Sequence, residues 1–153
     1  VRWAKGFFNM AVDYAPLVAG SKVPLSVNSS APKSGDEHLY VIVKQVTQPE
    51  SAVYAVPVRE VRPGEVGVLR LVARVPLSIV TAADLGPAGI VVRNYPAALV
   101  FPWSDDRTVV STLEGKSCPV SLGSSEAIAQ TLDGRALYSI SEGIGPPIRY
   151  VEL

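Results

Sequence analysis

Residues 56–80, VPVREVRPGEVGVLRLVARVPLSIV, constrain the fold of this chain more than any other stretch. Two runs rich in Val and Leu flank one turn, Arg62-Pro63-Gly64-Glu65. β-Branched residues suit a pleated, half-buried strand, and Pro-Gly suits a turn. Strand alternation points Leu69, Leu71, Ala73 and Val75 toward a core and Arg70 and Arg74 outward. Such a segment builds a sheet and supplies no reacting group.

The same signal recurs along the chain. Leu39–Val46, Val53–Val61, Val66–Val75, Ile90–Arg93, Ala98–Phe101, Thr108–Leu113, Pro119–Leu122, Ala136–Ile140 and Ile148–Val151 are strand candidates. Clusters of Pro, Gly, Asp or Ser separate them. Many short strands with regular turns predict a mainly all-β fold, a small β-barrel or β-sandwich. Pro57 and Pro76 mark edge positions or bulges, because proline cannot donate to a ladder. One or two short helices are expected. Thr81–Asp84 has capping-box character, and Ser124–Leu132 starts on a good N-cap and ends near Asp133-Gly134.

Residues 1–35 differ from the rest and read as an N-terminal arm and loop, leaving residues 36–153 as the β-rich core domain. Residues 1–20 hold Trp3, Phe7, Phe8 and Tyr14, interrupted by Gly6, Pro16 and Gly20. Aromatics are favoured anchors of protein contacts, so these four are candidate interface residues, with Arg70 and Arg74 as outward candidates on the core. The motifs KVPLSV at 22–27, RVPLSI at 74–79 and SCPVSL at 117–122 echo one another at unequal offsets. They predict similar edge strands that enter a sheet after a proline.

Charge and composition narrow the function classes. Fourteen basic and fourteen acidic residues give zero formal net charge, without the basic excess a nucleic-acid binder shows. Near-zero net charge also favours assembly with other chains. No apolar run approaches the roughly 18–20 residues of a membrane helix. The opening Val-Arg-Trp-Ala-Lys lacks the pattern of a secretory signal, so synthesis in a cytoplasm is expected. Nine arginines among the basic residues, with many prolines, hint at a thermostable source.

Candidate chemistry is sparse. His38 is the one histidine and Cys118 the one cysteine, so no internal disulfide and no cysteine-based zinc site can form. Cys118, beside Pro119, does not begin a helix that would activate its thiol. Asp36, Glu37 and His38 are adjacent and would point to alternate faces of a strand, which disfavours a shared metal. Asp105-Asp106 reads as a turn. Gly115-Lys116-Ser117 imitates a phosphate loop, but the required glycine five residues earlier is Val110. Gly143-Ile144-Gly145-Pro146-Pro147 reads as a stiff turn before the last strand. The expectation is a non-enzymatic protein without cofactor or metal. One alternative is a small-ligand or carbohydrate-binding β-sandwich that stacks a sugar on Tyr95, Phe101 and Trp103. Others are a single jelly-roll coat protein and, less favoured, a hydrolase that uses His38.

Pro63-Gly64-Glu65-Val66-Gly67, the strand Val68–Val75 and then Pro76 resemble the small β-rich decoration (cement) proteins of tailed-phage heads. The closing Ile148-Arg149-Tyr150-Val151-Glu152-Leu153 resembles a terminal strand of that group. The resemblance spans roughly residues 56–153. It implies a homotrimer on the outside of an icosahedral capsid, bridging and stabilising neighbouring major capsid subunits, with no nucleic-acid or membrane partner.

Overall fold

The computed structural model describes residues 38–61, 68–104 and 106–153, and the backbone of residues 22–25. The fold is all-β with few helices. Three antiparallel sheets form, and among the described residues none closes into a barrel.

The N-terminal sheet orders β1 (Lys22–Leu25), β2 (His38–Val43), β3 (Ser51–Pro57) and β4 (Arg70–Val75) in sequence. The middle sheet orders β5 (Ala82–Gly86), β6 (Gly89–Arg93), β7 (Ala97–Phe101) and β8 (Cys118–Ser121). The C-terminal sheet holds β9 (Ala127–Gln130), β10 (Ala136–Ile140) and β11 (Ile148–Glu152), with β10 central. A five-residue helix, α1 (Val109–Leu113), precedes β8.

The middle sheet is the filling of a three-layer stack. Ile90, Val92 and Phe101 on one face join Ile42, Val53, Ala73 and Val75 of the N-terminal sheet, with Val109 and Leu113 of α1. Val91, Ala98 and Val100 on the other face join Ile128 and Leu137 of the C-terminal sheet. Burial on both faces explains the unbroken run Ile90-Val91-Val92, since a strand covered on both sides has no polar side to show.

Three element assignments differ from the sequence expectation. Thr81–Asp84 and Ser124–Leu132 are not helices; they contribute β5 and β9. Thr108–Leu113 is not a strand; it is α1. Thr108 accepts from the Ser111 backbone while Ser111 bonds back to Thr108, a reciprocal cap in which Ser replaces the usual Glu or Gln. That local bond outweighs the β preference of Val109 and Val110. β5 and β9 are too short to form stable isolated helices, and tertiary pairing decides them.

A bulge changes the reading of β4. Val53 pairs with Ala73 but Tyr54 pairs with Leu71, so Val72 is the extra residue. Val72 and Ala73 both lean on the core, and the alternation inverts before them. Leu71 therefore leaves the core side and is 51% exposed. Arg70 pairs with core-facing Ala55, while Arg74 stays on the outer face. Both arginines are exposed, but on opposite faces, so they form no single patch.

Pro57 ends an interior strand and Pro76 follows the end of β4, so neither lies within an edge strand. Two of the three echoed motifs give edge strands, β1 and β8, but their prolines, Pro24 and Pro119, lie within the strand and not before it.

Candidate functional site

The outer face of the C-terminal sheet is the most distinctive surface of the described residues. β10 and β11 form a hairpin whose register places Ala136 opposite Glu152, Tyr138 opposite Tyr150, and Ile140 opposite Ile148. Residues that pair share a face, so one side carries Tyr138, Tyr150, Ile140 and Ile148, flanked by Ala127 and Ala129 of β9, with exposed Glu152 and buried Ala136 at one end. Tyr138 is 44% exposed, Tyr150 53% and Ile148 69%. The two tyrosine rings lie 5.4 Å apart at a tilt of 56°, within the range of a favourable aromatic pair. At the hairpin tip Ile144 is exposed between Gly143 and Gly145.

The inner face of this sheet is held by two polar clamps around an apolar centre. The first is Arg93, which is fully buried. It shares its face of the middle sheet with Ala82 and Ala98, directly opposite it on β5 and β7. Those small side chains leave room for a guanidinium. Its five N–H groups meet five acceptors. Nε donates to Asn94 O at 3.0 Å, and Nη2 donates to Tyr95 O at 2.7 Å and Gly123 O at 3.0 Å. Nη1 donates to Ser139 Oγ at 2.8 Å and to Ser125 Oγ. The two serine hydroxyls also bond each other. Burial lowers the affinity of Arg93 for its proton, Glu126 opposes that shift, and Arg149 adds to it. Gly123 turns at φ +67°, and a Cβ there would strike the Arg149 guanidinium.

The second clamp is Gln130. Its backbone N–H donates to Asp84 Oδ2 at 2.8 Å, and its Nε2 donates to Gly89 O at 2.9 Å. Its Oε1 accepts from Ala88 N–H at 2.9 Å. Burial raises the pKa of Asp84 above its ordinary value, opposed by bonds from the backbones of Gln130 and Leu85. Gly134 lies against the Pro87-Ala88 turn between β5 and β6 at φ +70°, where a Cβ would come 2.6 Å from Ala88 N. Ile128, Leu137 and partly buried Val151 fill the space between the clamps. The arrangement fixes the position of a sheet whose far side carries exposed apolar residues.

The residues singled out in the sequence are dispersed. Trp3, Phe7, Phe8 and Tyr14 lie outside the described residues, as do Asp36, Glu37, Asp105 and the turn at 62–67. His38 packs its ring 5.9 Å from Tyr40 in the N-terminal sheet, whereas Cys118 is exposed on the far edge of the middle sheet. Asp106 sits in a turn, its carboxyl held below the usual range by the Ser104 hydroxyl. The stacking platform does not assemble. Phe101 is buried in the core, with Trp103 packed against it. Tyr95 lies at the opposite end of β7, roughly 13 Å or more away at the rise of a strand, and meets Lys44 Nζ at 3.1 Å. Among the described residues no group of three or more His, Cys, Asp or Glu could hold a metal, and no helix is long and apolar enough to cross a membrane.

Tyr138 and Tyr150 were not singled out from sequence. The signal was present: a hairpin turn centred on Gly143–Pro147 pairs Ile140 with Ile148 and, two residues on, the tyrosines. Comparison with protein-family models, with curated proteins and with solved structures found no significant match to this chain.

Proposed function

We propose that this chain is a non-enzymatic structural protein that decorates and stabilises an icosahedral capsid, binding major capsid subunits through the outer face of its C-terminal sheet. One observation carries the proposal. The strand that resembles the terminal strand of phage decoration proteins, Ile148–Leu153, includes the outermost strand of that sheet and half of its exposed apolar face. A contiguous apolar face framed by polar residues favours a protein partner, and aromatic residues are preferred anchors. The clamped inner face keeps that surface rigid, which lowers the entropic cost of binding. A protein that binds only the assembled shell stabilises it by linkage.

Co-sedimentation with purified phage shells tests the proposal. Binding is expected with assembled shells and not with free capsid subunits. Tyr138→Asp puts a charge in the centre of the face and should weaken binding by about 10-fold or more. Failure of the protein to sediment with any tailed-phage shell would exclude this function, and undiminished binding of the variant would exclude this face.

A further inference from the structure

Among the described residues β11 is an exposed edge of the C-terminal sheet, and no strand flanks it. Other edges are blunted: β8 carries Pro119, and β4 carries the Val72 bulge with α1 packed against it. β11 has neither device and pairs with β10 in unbroken register from Ile148 to Glu152. Leu153 N–H donates to Arg135 O at 2.8 Å. Antiparallel ladders alternate, so Val151 and Arg149 also bond inward to β10. The N–H and C=O of Ile148, Tyr150 and Glu152 then face the open side.

We propose that this edge pairs antiparallel with β11 of a second copy, with Tyr150 on the two-fold axis. Charge selects the arrangement. Arg149 lies on the inner face of β11 and Glu152 on the outer face, so the two do not meet across the axis, and charge acts by excluding the registers that oppose like charges. Parallel in-register pairing would set arginine on arginine and glutamate on glutamate, which is unfavourable. An antiparallel pair centred on Arg149 would oppose two guanidinium groups. Centring on Val151 would set Tyr150 against Glu152. Centring on Tyr150 avoids all three, places Arg149 opposite Val151 and Ile148 opposite Glu152, and makes Tyr150 a mutually hydrogen-bonded pair. The outer face then carries an unbroken row, Tyr138–Tyr150–Tyr150–Tyr138, across one continuous sheet. Zero net charge leaves no long-range repulsion to oppose it. Five residues per strand bury less than the ~1,000 Å² of a robust interface, so a dissociation constant of roughly 10–500 µM is expected.

Sedimentation equilibrium of the full chain, without shells, tests the pairing independently of the capsid proposal. Between about 5 and 500 µM the mass should climb from 16.2 kDa toward twice that value. Tyr150→Lys and Tyr150→Glu, each verified as folded by circular dichroism, should each shift the curve by about 10-fold or more, and mixing the two should restore association. With Cys118→Ser as background, Tyr150→Cys should oxidise to a dimer readily, since paired Cα atoms would sit about 5.5 Å apart. Tyr138→Cys, one strand further from the axis on each side, should not. A monomer at every concentration, a three-copy mass, an unchanged curve for Tyr150→Lys, or equal crosslinking of the two cysteine variants would each overturn the pairing.

Discussion

The two interfaces of the middle sheet are built on different principles. Toward the N-terminal sheet and α1 the contact is an apolar cluster whose members include Ile42, Val53, Val92 and Phe101. Toward the C-terminal sheet the apolar cluster is smaller, and Arg93 and Gln130 flank it. Apolar contact is non-directional, so it holds layers together without strongly fixing their alignment. The clamps are directional: a slip of the C-terminal sheet would leave a buried guanidinium and several carbonyls unpaired, at a cost of several kcal/mol. The layer placed by the clamps is also the layer whose outer face is apolar and exposed. Precision at the inner face and availability at the outer face belong to one element.

The most severe way to break this contrast is Arg93→Met. It removes the guanidinium from three carbonyls and from two buried hydroxyls that keep only each other and Ala127 O, and should cost about 3–5 kcal/mol. Hydrogen exchange should show β9–β11 losing protection ahead of β2 and β3; equal loss in both sheets would erase the distinction between the interfaces. Leu137→Ala, in the apolar centre between the clamps, should cost about 2–4 kcal/mol in urea unfolding, as expected for a cavity left by a buried leucine. Unlike Arg93→Met, it leaves every clamp hydrogen bond in place, so exposure of the C-terminal layer should lag behind the loss of stability.

Gln130→Leu keeps the bulk but removes the second clamp, orphaning Ala88 N–H and Gly89 O. A loss of roughly 1–3 kcal/mol is expected, and a midpoint unchanged in denaturant would show that the Asp84 contact alone suffices. The finest test is pH. The pKa of Asp84 is raised in the fold relative to 3.8, so between these two values the folded state holds more protons than the unfolded one. Stability from this group is therefore greatest below 3.8 and falls as pH rises through the folded pKa. Asp84→Asn retains an acceptor for Gln130 N–H and should flatten that fall. Its advantage over the native protein should vanish in acid, and an advantage that persists below pH 3.8 would point to another cause.

Much of this was readable from local pattern. The β class, the hairpin strands at 136–140 and 148–151 and two of the proline-bearing edge strands follow from β-branched runs and their turns. Thr108–Leu113 misled because its valines favour a strand, while Thr108 and Ser111 close a cap that only geometry reveals. Leu71 misled because a bulge has no reliable sequence mark. The candidate face was the least readable part: no single residue in it is unusual, and only the Tyr138–Tyr150 register makes it a surface.

The amino-acid sequence by itself determined that this chain forms sheets, because strand alternation and turn chemistry are local properties that each segment carries alone. It also determined the absence of net charge and the scarcity of histidine and cysteine. Only the tertiary structure decided that Arg93 is a buried pin and not a surface charge, that Arg70 and Arg74 part to opposite faces, and that two tyrosines twelve residues apart become neighbours beside an open edge. Burial, register and edge position depend on which strands meet across the stack, and that is set by the whole set of contacts at once.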